Sequence, residues 1–230
     1  MRGVPPNVTL IHTVAGLAPV FNGLAREVLP SGTRVVHVVD EDLLQDTIRR
    51  GSIADETRSR LASYVDFAAQ SGADAVMVTC SSVGPVVDAL TDSSSSNNRV
   101  PLMRVDLAMA DEAVQRGARI GVLGTLKTTL EPTAALIRAR ALAAGRTVTV
   151  EARVADGAFE ALQGGDTEEH DRRVMAVMQE LLGRVDVLVL AQASMARVAD
   201  QLPQDGRRVP ILTSPRLGVE RLRSLLEQQI

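Results

Sequence analysis

The chain of 230 residues has a single cysteine, one tyrosine, three phenylalanines and no tryptophan. One thiol excludes an intrachain disulfide, a CxxC redox pair and a cysteine-rich zinc site. So few aromatic rings leave little to stack nucleic-acid bases, and a formal net charge of −3 provides no basic surface for nucleic acid. We therefore expect no nucleic-acid partner and a reducing, cytoplasmic compartment.

Long hydrophobic runs are also absent, since none reaches the ~18 residues of a membrane span, so we expect no membrane association. The segment 1–8 and the apolar stretch after it, interrupted by His12 and Thr13, do not resemble a secretory or transit signal. No set of histidines and carboxylates has the spacing of a metal site, and no glycine-rich phosphate loop occurs. We expect no metal.

Short apolar runs rich in β-branched residues alternate with helical patterns along the chain. Most of these runs are nearly continuous, which is typical of parallel strands covered on both faces, and the alternation predicts βαβ units and an α/β fold. The predicted strands are 8–12, 34–39, 75–79, 100–103, 119–123, 147–150, 185–190 and 209–212, and the clearest helices are 55–69, 107–116, 131–143, 171–182 and 216–229.

An internal repeat divides the chain into two similar halves. At an offset of 112 residues, blocks match without gaps, as in Thr13 with Thr125, Arg34 with Arg146, Asp74 with Asp186, and Asp88 with Asp200. Beyond residue 99 the offset becomes 109, which pairs 100–102 with 209–211. The repeat predicts two pseudo-symmetric halves, each a parallel sheet flanked by helices, with an active-site cleft between them. We place 1–104 plus 210–230 in the first domain and 105–209 in the second.

Small hydroxyl residues gather where the predicted strands end, which is where ligands bind in open parallel sheets. Hydroxyl groups and free backbone N–H groups there form a neutral cradle for a carboxylate, although the same residues also serve as helix caps. These stretches are 11–16, 79–84, 123–129 and 191–194.

Cys80 follows one of these strands, and its partner in the repeat is Gln192. A free cysteine is most often a buried small hydrophobe. A strand end followed by two serines and a helix amino terminus favours the thiolate instead. We therefore interpret Cys80 as a reactive residue of the site and not as a buried structural cysteine.

The blocks VMVTCSSVGPVVD, IGVLGTLKTTLEPT and VDVLVLAQASMARV, with IHTVAGLAPVFN near the start, resemble the aspartate/glutamate/hydantoin racemase superfamily. The resemblance covers nearly the whole chain and implies two pseudo-symmetric α/β domains, frequent dimers, and racemisation without a cofactor. In such enzymes one thiolate removes the α-proton of a carboxylate substrate and a thiol on the opposite face returns one. Decarboxylases and cis–trans isomerases share the scaffold.

The resemblance also implies roles for individual residues. Cys80 is the first-half catalytic cysteine, and Gln192 stands in the place of the second. His12 falls where glutamate racemases have an acidic residue. The predicted catalytic residues are Cys80 and His12, and the predicted substrate-binding residues are Thr13, Ser81, Ser82, Thr125, Thr128, Gln192 and Ser194.

An amide at Gln192 cannot act as a base near neutral pH, so the symmetric two-thiol mechanism is not available. The leading hypothesis is a cofactor-independent racemase or isomerase of a small carboxylic or amino acid, with His12 as the group on the second face. A second is a decarboxylase of malonate-type acids, or a cis–trans isomerase, that uses Cys80 alone. A third is a small-acid binding protein without catalysis.

The other candidates are weaker. His37 lies inside a strand pattern and is expected to pack there, and His170 lies among charged residues and is expected to be solvated. Lys127 is a candidate for contact with a second substrate carboxylate, and equally a solvated lysine.

Overall fold

The computed structural model describes residues 5–92, 100–202 and 209–228. Within these residues the chain forms eight strands, in two four-stranded sheets, and ten α-helices. Every pair of neighbouring strands is parallel. The predicted α/β class, with two similar halves that each contain a parallel sheet, is confirmed.

The strands are β1 Asn7–His12, β2 Arg34–Val39, β3 Ala75–Val78, β4 Leu102–Arg104, β5 Arg119–Gly124, β6 Thr149–Val154, β7 Val187–Leu190 and β8 Ile211–Thr213. The helices are α1 Leu17–Val28, α2 Asp42–Arg50, α3 Asp55–Gln70, α4 Gly84–Asp92, α5 Leu107–Arg116, α6 Lys127–Ala143, α7 Ala158–Gln163, α8 Thr167–Leu182, α9 Ala196–Asp200 and α10 Ser214–Glu227. Single turns of 3-10 helix, Ser81–Val83 and Ala193–Met195, precede α4 and α9.

The chain separates into two compact units. Unit 1 contains Met1–Val105 and Pro215–Ile230, and unit 2 contains Asp106–Ser214. The prediction that the chain returns to the first half at residue 210 is corrected, because β8 pairs with β7 inside unit 2. The return is made by α10 alone, and Arg216 on that helix forms an ion pair of 2.5 Å with Glu27 of unit 1.

The strand registers reproduce the repeat. The strand order is β2-β1-β3-β4 in unit 1 and β6-β5-β7-β8 in unit 2. Val8 lies level with Ala75, and the residues 112 further on, Ile120 and Val187, are level in the same way. Leu102 and Ile211, the counterparts at the shorter offset of 109, pair with equivalent positions of β3 and β7. The two units therefore share one topology and one register in these strands.

The predicted match of Arg34 with Arg146 is wrong by three residues. Asn7 pairs with Arg34 in unit 1, but its counterpart Arg119 pairs with Thr149 in unit 2. The extra residues lie between β5 and β6, where α6 has 17 residues and its counterpart α1 has 12. The sequence match there reflects two similar strands at a shifted position.

Asp74 and Asp186, in contrast, have the same role in both units. A carboxylate oxygen of Asp74 accepts a hydrogen bond of 2.7 Å from the backbone N–H of Asn7. A carboxylate oxygen of Asp186 accepts one of 2.8 Å from the N–H of Arg119. Each aspartate therefore satisfies a backbone donor at the start of the unit's first strand, which explains its presence in both halves of the repeat.

The central strands of each sheet are buried on both faces, as their continuous apolar sequences predict. One hydrophobic cluster of unit 1 surrounds Val76 and Val78 and includes Cys80 and Val83 from the chain that leaves β3. The edge strand β2 is only partly buried. The core therefore extends up to the strand ends at which the predicted site residues lie.

Candidate functional site

In unit 1 the carboxyl ends of β1 and β3 lie side by side. Ile11 is level with Val78, so the residues that leave the sheet next to one another are His12 and Thr13 on one strand, and Thr79 and Cys80 on the other. The N–H of Thr79 donates to the carbonyl of Ile11, which continues the pairing beyond the last assigned bridge. The fold thus brings these predicted residues to one edge of the sheet.

Cys80 lies at the junction of strand and helix. Its backbone is extended, with φ −130° and ψ 118°, and it occupies the N-cap position of the 3-10 turn that runs into α4, without a capping hydrogen bond from its side chain. Ser81 and Ser82 form the start of this turn and are buried, and Cys80 is 9% exposed. A thiol and two hydroxyl groups therefore occupy a turn that leads into a helix amino terminus, where backbone N–H groups favour an anion.

His12 is fully buried, and both of its ring nitrogens already have partners. Nδ1 lies 2.9 Å from the hydroxyl oxygen of Thr79, and Nε2 lies 2.9 Å from Nδ1 of His37. The two imidazole rings stack, with centroids 5.1 Å apart. Neither nitrogen of His12 is thus left for a substrate in this arrangement.

Burial, and then the neighbouring His37, lower the pKa of His12 to about 4. Burial also lowers the pKa of His37. Both rings are neutral near pH 7, so the pair contributes hydrogen bonds and no positive charge. The catalytic role predicted for His12 stays a prediction, and this geometry favours a positioning role.

In unit 2 the equivalent edge carries Thr125 and Gln192. Gln192 Oε1 accepts hydrogen bonds from the backbone N–H of Thr125, at 2.6 Å, and from its hydroxyl, at 2.9 Å. Its Nε2 has no hydrogen-bond partner among the described residues. Because the oxygen is held in place, Nε2 is the part of the amide that remains able to donate.

Thr128 lies in the first turn of α6. Its hydroxyl oxygen is buried and lacks a hydrogen-bond partner in the part of the chain that the structure describes. The first backbone N–H groups of a helix also have no partner inside the helix. Thr128 and this helix end are therefore suited to an oxygen-bearing ligand. Ser194 is half-buried in the turn before α9, and Lys127 is exposed at the start of α6.

The expectation of a solvated His170 is wrong. This side chain is fully buried on α8, with Nδ1 2.7 Å from a carboxylate oxygen of Asp171, while Nε2 is buried without a partner among the described residues. Arg197 donates to the other oxygen of Asp171 at 2.8 Å. The charged sequence around His170 marks an ion-pair network that ties α9 to α8.

Two further polar residues at the strand ends of unit 1 were not predicted from the sequence. Asp40 follows β2 and accepts hydrogen bonds from Arg60 at 2.5 Å and from Tyr64 at 2.8 Å. The bond to Asp40, and then burial, raise the pKa of Tyr64. Arg104 ends β4 with its side chain buried. The repeat could have pointed to Arg104, because its counterpart at the offset of 109 is Thr213 and the two halves therefore differ in charge at this strand end.

The described residues contain no group of three or more histidine, cysteine or carboxylate side chains arranged to hold a metal ion. None of the helices within the described ranges is both long and apolar enough to cross a membrane.

Known proteins are similar to this chain in sequence and in fold. The family model described as Asp/Glu/Hydantoin racemase matches residues 12–222. No curated protein sequence matches the chain. Among solved structures, a glutamate racemase from Bacillus anthracis has a TM-score of 0.74 at 17% identity, covering 97% of this chain and 82% of the other.

Two further structures are similar. An allantoin racemase from Klebsiella pneumoniae has a TM-score of 0.65 at 18% identity, covering 98% of this chain and 89% of the other. An aspartate racemase from Picrophilus torridus has a TM-score of 0.67 at 11% identity, covering 96% and 94%. At these identities the likeness is one of fold, while the family model spans most of the sequence. The chain therefore belongs to the Asp/Glu/hydantoin racemase family.

Proposed function

We propose that the chain is a cofactor-independent racemase or isomerase of a small carboxylic or amino acid, in which Cys80 transfers a proton at the α-carbon. Membership of a racemase family supports the reaction class. The observation that carries the proposal is the position of Cys80 at the end of β3, in a turn with Ser81 and Ser82 that leads into α4.

The chemistry needs a base that can also act as an acid. The thiolate of Cys80 takes the proton from the α-carbon, and the electron pair left behind spreads into the carboxylate as an enediolate. The thiol then returns a proton to the α-carbon, and inversion results when the planar enediolate has turned to present its opposite face to Cys80. Hydrogen-bond donors that contact the carboxylate stabilise the enediolate more than the substrate, because its oxygens carry more charge.

The binding residues that we propose are hydroxyl, amide and backbone donors without a cation. In unit 1 these residues are Thr13, Ser81 and Ser82. In unit 2 they are the anchored amide of Gln192, the buried hydroxyl of Thr128, and the side chains of Thr125 and Ser194.

For His12 we propose a positioning role. Its Nδ1 is hydrogen-bonded to Thr79, the residue before Cys80, and its Nε2 is hydrogen-bonded to His37. With both nitrogens engaged and a pKa of about 4, His12 is a poor proton donor or acceptor for a substrate at neutral pH. The strand end that carries Cys80 is then fixed from β1 and β2 together.

A one-thiol reaction is the second candidate, favoured by the hydrogen-bonded amide at Gln192 where a second thiol would stand. A decarboxylase of malonate-type acids needs one proton donor, which protonates the enediolate left after loss of CO2. A cis–trans isomerase needs one nucleophile, which adds to the double bond and leaves after rotation. For either reaction, Cys80 is the single thiol that is needed.

Proton exchange at the α-carbon distinguishes these reactions. Amino and hydroxy acids are incubated with the protein in D2O and followed by NMR and chiral chromatography. Exchange with inversion supports the racemase, and loss of both in Cys80→Ala and Cys80→Ser assigns the thiol. Absence of exchange and inversion across the panel contradicts the proposal.

Release of CO2 from disubstituted malonates, or conversion of maleate-type acids, tests the second candidate with the same two variants. A binding protein without catalysis predicts thermal stabilisation by dicarboxylates that persists in Cys80→Ala, with no turnover. A homodimer and a cytoplasmic location stay predictions, checked by analytical ultracentrifugation and by fractionation of the producing cells.

A further inference from the structure

Strand β2 is an edge strand of the sheet in unit 1, and within the described chain it pairs with β1 alone. Arg34 and Asp40 donate their backbone N–H groups to carbonyl oxygens on the β1 side, so every second residue between them is paired with β1. The backbone N–H and C=O groups of Val35, His37 and Val39 therefore point away from the sheet. In the described part of the chain these groups have no hydrogen-bond partner.

The sequence of β2 does not protect this edge. Natural sheets discourage pairing at an edge with charges, proline, a bulge or a covering segment. Residues 35–39 are VVHVV, without a charged residue at neutral pH and without proline, and β2 pairs with β1 in an unbroken register. The equivalent edge strand of unit 2, β6, carries Glu151 and Arg153, which form an ion pair of 3.4 Å. Of these two equivalent edges, only that of β6 thus carries charges that oppose pairing.

Exposed apolar side chains also occur on the elements that form this edge. Val39, at the end of β2, is 44% exposed, and Val20, on the helix α1 that packs against β2, is 50% exposed. Val14, in the loop before α1, is exposed as well. These valines are three of the five exposed large hydrophobic side chains among the described residues. A free strand edge with apolar surface beside it is typical of a protein–protein contact.

The two ends of β2 differ in charge. Near its start, Arg34 on the strand and Arg26 on α1 are exposed, and neither has an ion-pair partner in the described ranges. Directly after its end come three carboxylates, at 40–42, and Arg60 is bonded to the first of them. The side chain of Asp42 is 79% exposed. A second β2 strand that runs in the opposite direction would therefore meet opposite charge at both ends.

An antiparallel pair of β2 strands centred on His37 combines these features. In that register Val35 of one copy is level with Val39 of the other, and Val36 is level with Val38, so the cross-strand neighbours are apolar. The residues with free N–H and C=O groups then face one another. The basic start of each strand lies beside the acidic end of the other. The edge is therefore complementary to itself, which a two-fold interface requires.

We propose that β2 forms the interface of a homodimer, in which two copies of the chain pair antiparallel along this edge. The two four-stranded sheets of unit 1 then become one continuous sheet. A second copy fits better than an unrelated peptide, because the same strand supplies the free backbone groups, the apolar neighbours and the opposite charges. The proposal does not depend on the reaction, since Cys80 follows β3 and not β2.

Sedimentation equilibrium of the full-length protein measures the association, and amide hydrogen exchange followed by NMR locates the interface. We expect a dimer in which the amides of Val35, His37 and Val39 are protected, and we expect this protection to be lost on dilution. The amides of Val150 and Ala152 point outward from β6 in the same way and serve as the internal reference. They are expected to exchange freely at every concentration.

Val35→Pro removes one outward N–H group and leaves the pairing with β1 intact, because an edge strand tolerates proline where the N–H faces solvent. We expect it to raise the Kd of the dimer about tenfold or more, since the two-fold axis doubles the loss. Val150→Pro, at the same register position of β6, is the matched control and is expected to leave the Kd unchanged.

Charge reversal tests the direction of pairing. Arg34→Glu and Asp42→Arg are each expected to raise the Kd about fivefold, because like charges then meet at both ends of the interface. The double variant restores opposite charges and is expected to recover most of the affinity. Added salt is expected to weaken the wild-type dimer.

A protein that stays monomeric overturns the proposal, and so does a dimer in which the outward amides of β2 exchange freely. Equal Kd values for Val35→Pro and Val150→Pro also contradict it. Should Val35→Pro not fold, a double charge variant that dimerises no better than its single variants overturns the proposal instead. None of these outcomes involves turnover, so α-proton exchange judges the proposed function separately.

Discussion

Thr125 donates two hydrogen bonds to the amide oxygen of Gln192, one from its backbone N–H and one from its hydroxyl. The two residues stand in unit 2 where Thr13 and Cys80 stand in unit 1. Two donors on one oxygen decide the orientation of the amide. Gln192 thus has a fixed geometry, with Nε2 as its remaining donor.

Gln192→Ala is expected to weaken the binding of small dicarboxylates and to lower stability by about 1 kcal/mol, because the donors of Thr125 lose their acceptor. Binding is measured as the rise in melting temperature with malonate or glutamate. Gln45→Ala, at an exposed position of α2, is the matched control. Equal ligand-induced shifts in Gln192→Ala and wild type would show that the amide does not bind the acid.

Acid is expected to destabilise the protein below pH ~6.5. The pKa of His12 is about 4 in the folded chain and ~6.5 when unfolded, so the unfolded state binds more protons between these values. Stability therefore falls as pH falls through this window, with a slope of up to ~1.4 kcal/mol per pH unit from this residue. Burial of His37 acts in the same direction.

Urea unfolding between pH 7.5 and 5 measures this slope. His12→Gln keeps a polar side chain beside Thr79 but removes the titrating group, so its slope is expected to be shallower. A slope identical to that of wild type would assign the acid sensitivity to other groups.

Gly218→Ala is expected to destabilise the protein by about 1–3 kcal/mol. A Cβ at this position of α10 would lie 2.8 Å from the carbonyl oxygen of Val105 and 2.9 Å from its Cγ2. Gly23→Ala, on α1 with no atom within 4 Å of the added Cβ, is expected to stabilise by about 0.5–1 kcal/mol. Chemical denaturation compares the two, and equal effects would contradict close packing of α10.

Substitutions at His170 test whether its buried ring stabilises the protein by packing or by its polar contact with Asp171. His170→Ala leaves a cavity and is expected to cost about 2–4 kcal/mol, whereas His170→Leu fills the space and costs less than about 1.5 kcal/mol. Asp171 keeps Arg197 and Gln201 as partners in both variants. If the two variants lose equal stability, the contact between His170 and Asp171 is what matters.

The sequence predicted the strands well because parallel strands buried on both faces need continuous apolar runs. It was less accurate for helices whose ends lack capping signals. The structure starts α6 at Lys127, four residues before the predicted Glu131, and includes Pro132 within the helix. A proline is easily taken for a helix start, since its missing N–H costs nothing in the first turn.

Positions of the site residues were predictable because strand ends in parallel sheets meet at one edge. Their contacts were not, because contacts depend on strand order and on register. The bond between His12 and His37 exists because β2 lies next to β1, and the three-residue shift between β2 and β6 leaves no equivalent in unit 2. Such a contact can be predicted only when the strand order and the register are known.

The close approach of Gly84 and Arg104 also constrains how the two halves diverged after duplication. A side chain at position 84 overlaps the guanidinium, whereas glycine at 84 is compatible with either arginine or a shorter residue at 104. Glycine at 84 with a short residue at 104 is therefore the intermediate in which no side chain has to move, whichever pair is ancestral. With the arginine present, a side chain at 84 requires the guanidinium to move, so the residue at 84 and the residue at 104 change as a linked pair.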